Sequence, residues 1–306
     1  MIEEDRHALD RSLDQAEEGR SVHWHRHFQY DNWKSNELGA RQGLGMFIPR
    51  TAHRVVMHYL MQVPFLRCGR PFETFPTVLD AGRRFAKLQG RVFDLDELRQ
   101  VLSLACVRHY IDLQPSLHYT FAVIGDGYGR LANLLLTMFP ACTVVLVNLS
   151  PALQIDLASL RLGWPELHVF EPTNVEDLMP PSALRVRVVG ISANKAEMLA
   201  AIPLDGAFNI SSMQEMDRSV IAHYFGLLRA NPSPATWFYC SNAIAKSWTD
   251  GSVIRFAEYP WDPRDEVLLD EPCPWGQKGY QTFPPRYLQR PFPIQHRLAR
   301  LRKEKH

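Results

Sequence analysis

FAVIGDGYGRLANLLLTMFP, residues 121–140, sets four apolar residues ahead of three glycines at alternate positions, Gly125, Gly127 and Gly129, and closes on a second apolar run. HYTFAVIG, 118–125, reads as a buried parallel strand, and RLANLLLTMF, 130–139, has the apolar spacing of the helix that follows it. Strand, glycine turn and helix, in that order, let a nucleotide-bearing ligand cross the carboxyl end of a strand. Glycine there permits positive φ and removes the Cβ that would collide with the ligand. A tight turn with no ligand is the plain alternative.

The spacing separates two kinds of ligand. Dinucleotide folds prefer G-x-G-x-x-G, whereas here the third glycine falls one place earlier and Arg130 takes the dehydrogenase position. G-x-G-x-G points instead to S-adenosylmethionine, with Gly125, Asp126, Gly127, Tyr128 and Gly129 as its loop. A second strand, CTVVLVN, 142–148, ends in Asn148, roughly where a βαβ nucleotide site places its ribose-binding residue, and Leu149 follows. An amide offers one acceptor oxygen where a carboxylate offers two, so Asn148 predicts a different ribose contact. SPALQIDLASLRLG reads as a helix capped by Ser150 with Pro151 in its first turn. LHVFEP, RVRVVGIS and LDGAFNISSM, 204–213, continue the strands, and NKAEMLAAI adds a helix. The expected architecture is α/β, Rossmann-like: a mostly parallel sheet with flanking helices.

Three amphipathic helices are expected ahead of the first strand, in RTAHRVVMHYLMQV (50–63), VLDAGRRFAKLQG (78–90) and DLDELRQVLSLACVRHYID (94–112). Asp94 or Asp96 can cap the last of them. The chain thus divides into an N-terminal helical segment, 1–115, and a ligand-binding domain, 116–306. Within HWHRHFQYDNW, 23–33, His23, His25 and His27 alternate as strand-borne metal ligands would, but such alternate histidines are more often surface or stacking residues, so no metal is expected.

The 306 residues are 46% hydrophobic, enough for a substantial core, and 34 Lys and Arg against 33 Asp and Glu give no electrostatic reason for a nucleic-acid partner. Five scattered cysteines fit neither a disulfide framework nor a zinc site, and the charged opening residues lack the apolar core of a signal peptide. No apolar run approaches the length of a membrane span. The expectation is a soluble, cytoplasmic protein with reduced thiols.

The blocks GDGYGRLANLL, VVLVNLSPAL, FNISSMQEM, DEPCPWGQ and PIQHRL together resemble the sugar O-methyltransferase family. The similarity runs from about residue 118 to about 302 and does not extend to residues 1–110. SMQEM and DEPCPW are its more specific parts, because G-x-G-x-G occurs throughout methyltransferases. The resemblance implies a Rossmann-like methyltransferase fold and transfer of methyl from S-adenosylmethionine to a hydroxyl of a sugar or glycan. Two positions depart from the pattern: Val123 replaces the acidic residue usual two places before the first glycine, and Asn148 replaces the ribose-binding carboxylate.

Such a transfer needs a base for the acceptor hydroxyl. Glu215, just past the 204–213 strand, is the first candidate; stabilisation of the following helix through its dipole is the plain alternative. His296 in PIQHRL is the second, since imidazole titrates near neutral pH. The proline- and aromatic-rich run at about 257–290 is expected to form a substrate lid. In it Trp261 and Trp275 would offer flat faces to a sugar and Asp270 and Glu271 would accept from its hydroxyls. The basic end RLARLRKEKH reads as a solvated helix face or an unstructured end. The partner is then a small molecule or glycan, with self-association left open. Two other readings stand beside this one: an NAD(P)-dependent oxidoreductase, and a methyltransferase-like binding protein without catalysis.

Overall fold

The computed structural model describes residues 48–178, 187–248 and 251–303. His23, His25 and His27 lie outside them. In chain order the elements are helices α1 (Ala52–Leu66), α2 (Phe75–Leu88) and α3 (Leu95–Tyr110), strand β1 (Thr120–Ile124), α4 (Arg130–Met138), β2 (Thr143–Asn148), α5 (Ser150–Gly163), β3 (Val169–Phe170) and β4 (Val188–Ser192). After a 3-10 segment, Ala193–Ala201, come β5 (Gly206–Ile210), a 3-10 turn (Met213–Glu215), α6 (Arg218–Ala230), β6 (Thr236–Ala243), β7 (Ala245–Ser247) and β8 (Val253–Arg255). The last four strands are β9 (Glu266–Pro272), β10 (Lys278–Thr282), β11 (Pro285–Gln289) and β12 (Ile294–Leu301).

Eight strands form one sheet in the order β3-β4-β2-β1-β5-β6-β12-β9. The pairings from β3 to β6 are parallel, and β12 runs antiparallel to both its neighbours, β6 and β9. This is the expected Rossmann-like α/β architecture. The all-parallel 3-2-1-4-5-6 order of dinucleotide folds is broken by β12, wedged in reverse between β6 and β9. Chain order reverses between β1 and β5, so the crevice where open α/β sheets bind ligands lies at the carboxyl ends of those two strands.

Strand burial follows from two-sided coverage. Phe121, Val123, Val144, Leu146, Phe208 and Tyr239 point to one face, under α2 to α5, and Ala122, Ile124, Val145, Val147, Phe238 and Cys240 to the other, under α6 and 193–201. Leu98, Val101, Leu102 and Ala105 of α3 join the first of these clusters, so the helices ahead of β1 share one core with the sheet. Asp94 caps α3, its carboxylate accepting from the Glu97 N–H at 3.0 Å.

That same carboxylate takes a two-pronged bond from Arg130, the first residue of α4, with Nη2 to Oδ2 at 2.9 Å. Glu97, fully buried, lies 3.9 Å from Arg130 and pairs with Arg91. Burial alone would raise the Asp94 carboxyl, but the Arg130 charge and hydrogen bonds outweigh it and hold it below the usual carboxylate range.

Three expectations need correction. Ser150 is the first residue of α5 and not its cap: Leu149 holds the N-cap position, and the Ser150 hydroxyl bonds that of Ser192 at 2.8 Å. The basic RLARL forms part of β12 inside the sheet, with Leu298 and Ala299 fully buried, because alternate apolar residues there meet both clusters. The 257–290 run is not one lid. Its first part packs Tyr259 and Trp261 on Phe225 of α6, β9 joins the sheet edge, and only the β10–β11 hairpin stands apart, against α1.

Asp94→Asn keeps an acceptor for the cap but leaves Arg130 buried with one fewer counter-charge. Urea unfolding should show a loss of about 3–5 kcal/mol at neutral pH. Because the Asp94 pKa is depressed on folding, its contribution is present above the unfolded carboxylate value and is lost as pH falls through the folded one, so the gap between wild type and variant should close toward strongly acidic pH.

Candidate functional site

Between β1 and α4 the backbone is left-handed at four of five residues, Gly125 (φ 71°), Gly127 (59°), Tyr128 (82°) and Gly129 (62°). Two of the glycines answer to the protein itself. A Cβ on Gly125 would fall 2.0 Å from the Ser212 hydroxyl, and one on Gly129 would fall 2.8 Å from the Asp156 carbonyl oxygen. The loop is therefore gripped from β5's side and from α5's side, and Gly127 sits partly exposed between the grips.

Carboxylates fill the space behind it. Asp126 turns back to the start of α4 and accepts from the N–H groups of Leu131 at 2.9 Å and Ala132 at 2.8 Å, so it is neither a solvated turn residue nor free for a ligand's ammonium. Asp156 of α5, fully buried, accepts from the Gly129 N–H at 2.9 Å and from the Asn148 amide at 2.8 Å. Burial pushes both carboxyls above the usual range, and each acid resists a second negative charge nearby: Asp126 raises Asp156, and Glu97 raises Asp126. The Asn148 oxygen is also engaged, accepting from the Leu149 N–H at 2.9 Å. Asn148, the expected ribose partner, is thus locked to its own scaffold by one amide N–H and by its oxygen.

Across the switch point, Asn209 ties β5 to β1 through Ile124 O at 2.9 Å and accepts from Met213 N–H at 3.0 Å and from the Asn242 amide at 2.8 Å. Gln214 N–H donates to Asn242 at 3.1 Å, and the Gln214 oxygen accepts from Ala243 N–H at 2.7 Å. These amides pin the turn 211–215 opposite the glycine loop, with Ser211 left-handed at φ 60°. Glu215 emerges from it partly exposed and ion-paired with Lys246 of β7; it does not cap α6, whose N-cap is Asp217.

The remaining expected residues are placed elsewhere. His296 is 1% exposed: its Nδ1 meets the Tyr239 hydroxyl at 2.9 Å, Trp275 packs edge-on at 5.1 Å, and burial pushes the imidazole down to about 4 against a smaller opposing pull from Asp270. Of the two expected bases, His296 is thus the enclosed one and Glu215 the partly exposed one. Trp275 is buried too, donating to Ser103 at 3.3 Å, and Trp261 spends its face on Arg297, 4.6 Å from the ring centre. Neither offers a platform to a sugar. Asp270 is bound to Arg297 and Gln295; Glu271 is exposed, 3.6 Å from His296. Cys273 is buried and its thiol is pushed up to about 12, chiefly by that burial.

Sequence reasoning missed Asp156, Asn209, Asn242, Ser212 and Lys246. Asp156 had a legible signal, a lone acid on the apolar side of LQIDLASL; the others carried none beyond their position at strand ends.

No protein-family model and no curated protein matches this chain. Among solved structures, the 1,6-didemethyltoxoflavin-N1-methyltransferase of Burkholderia thailandensis, with bound 1,6-didemethyltoxoflavin and S-adenosylhomocysteine, is similar over 84% of this chain and 93% of its own, at 14% identity and a TM-score of 0.43. The pyocyanin biosynthetic protein PhzM is similar over 82% and 74%, at 12% identity and 0.39. The glycopeptide N-methyltransferase MtfA, complexed with S-adenosylmethionine, follows over 66% and 70%, at 14% and 0.31. At these values the architecture rests on the strand order and register above. No helix among the described residues is long and apolar enough to cross a membrane.

Asn148→Asp should set two carboxylates in the place of one amide–carboxylate bond. Near pH 5 the pair can share a proton; raising the pH strips it from the folded state, which binds more protons than the unfolded chain, so stability falls. We expect a loss of about 1–3 kcal/mol near pH 8 and much less near pH 5, read from urea melts. The exchange Asn148→Asp with Asp156→Asn reverses the bond's polarity and should recover most of the loss.

Proposed function

We propose that the chain transfers a methyl group from S-adenosylmethionine to a hydroxyl of a sugar or glycan. The observation that supports the cofactor is that acids occupy the N–H groups behind the glycine loop. A dinucleotide site needs the free N–H groups of the helix start for its pyrophosphate. Here Asp126 takes two of them, Asp156 takes the Gly129 N–H, and both are acids. Those N–H groups are therefore not free for phosphate, and each acid, once ionised, adds a negative charge that suits a ligand carrying positive charge. The early third glycine and the reversed β12 weigh in the same direction.

When bound, the cofactor supplies an electrophilic methyl on a sulfonium. The left-handed 125–129 loop would hold it, with Leu149 and the remaining Asn148 N–H alongside. The turn 211–215 would close the other side of the crevice. Glu215 is the proposed base. Lys246 anchors one carboxylate oxygen, leaving the second to take the proton as the acceptor oxygen loses it. The sugar or glycan acceptor rests on the resemblance carried by FNISSMQEM and DEPCPWGQ. Exposed Glu271 is the one expected substrate contact that retains a free-facing side chain.

Calorimetry should give heat with S-adenosylmethionine and S-adenosylhomocysteine and none with NAD(H); the reverse result would return the site to dinucleotides. Asp126→Asn removes one negative charge, so near pH 8 it should weaken S-adenosylmethionine several-fold relative to uncharged-sulfur S-adenosylhomocysteine, a change on the order of 1 kcal/mol. With glycan acceptors, Glu215→Gln should lower turnover by roughly 100-fold while S-adenosylmethionine affinity holds. Near-normal turnover would eliminate Glu215 as base, and cofactor binding without turnover in the wild type would favour a binding protein.

A further inference from the structure

Helix α1 is apolar on two opposite sides. Met61 and Phe65, with Gln62 and His58, face inward, where Gln62 and His58 bond the Tyr280 hydroxyl of the β10–β11 hairpin at 3.1 and 2.8 Å. Val56, Tyr59, Leu60 and Val63 lie within one narrow arc on the outer side and are 37–54% exposed. A helix apolar all round is ordinarily buried, so this stripe calls for a cover.

Charge identifies the cover. Residues 48–70 hold four arginines, Arg50, Arg54, Arg67 and Arg70, all exposed, and no acid. Arg50 lies before the stripe and Arg67 and Arg70 after it, with Arg54 on the His58 side of the helix, so a second copy laid on the stripe would oppose arginine with arginine. Residues 1–20 hold seven acids against three arginines. Within them Leu9, Leu13 and Ala16 recur at helical spacing. The chain between this stretch and Ile48 is long enough to return to α1, since Ile48 is held beside the helix by the Val92 N–H on its carbonyl. We propose that residues 1–20 dock on the outer face of α1, with Leu9 and Leu13 on Val56, Tyr59, Leu60 and Val63 and the flanking acids against Arg50, Arg67 and Arg70.

The test is amide hydrogen exchange across residues 52–66, with exchange in β1 and β2 as the control for global folding. Removing residues 1–20, or substituting Leu9→Asp and Leu13→Asp in the full chain, should speed exchange in α1 by tenfold or more and leave the strands unchanged. A synthetic peptide of residues 1–20, added to the shortened chain, should restore the protection, and Arg67→Glu with Arg70→Glu should abolish that rescue. Unchanged α1 exchange after the deletion would overturn the proposal. So would protection that depends on protein concentration in the shortened chain as in the full one, which would assign the cover to a second copy.

Discussion

An arginine at the first position of a helix faces the positive end of the helix dipole, and α4 begins with one that is buried. The rest of the arrangement is a response to that constraint. Asp94 reaches it from the cap of α3, Glu97 from the next turn, and Asp126 covers the adjoining N–H groups from the glycine loop. Removing Arg130 from water is tolerable only because these acids surround it, and they do so only when α3, β1 and α4 are in register. The pair therefore couples the helices ahead of β1 to the shape of the loop. It also sets two acids behind the loop, Asp126 and Asp156, each bonded to its backbone or to the start of α4.

The glycines were legible as a demand for space, but the sequence did not say whose space. Ser212 approaches Gly125 and the Asp156 backbone approaches Gly129, so two of three are set by how the loop is clamped between its neighbours. Strand and helix identity was legible for the same reason that burial is simple here: strands covered on both faces read as continuous apolar runs, and their boundaries fell within a few residues of expectation. The end of the chain misled because its arginines alternate with apolar residues. In RLARL the charged positions face Glu266 and Asp270 of the neighbouring edge strand β9, where Arg300 and Arg297 find partners, so positive charge there is paired.

Resemblance located blocks without sorting their tasks. PIQHRL and DEPCPW, among the more distinctive stretches, meet in the core: His296 on Tyr239, Trp275 on Ser103 of α3 and edge-on to His296. They form a buried polar cluster in which each donor has a particular acceptor. SSMQE is different. Its backbone is pinned by Asn209 and Asn242, yet its carboxylate is turned outward to Lys246, leaving a charged group at a strand end with no packing duty beyond that pair.

The amide at position 148 follows from the acid at position 156. A carboxylate on the strand end would stand 2.8 Å from another and near Asp126, in a space where burial already favours the protonated forms. An amide resolves this by donating, and its partner Asp156 can then hold the Gly129 N–H in place. The carboxylate that the sequence lacked at the strand end is thus found one layer back, on α5, tying that strand end to the loop through a single side chain. The geometry of the strand end and that of the loop therefore come from one buried acid bonded to both.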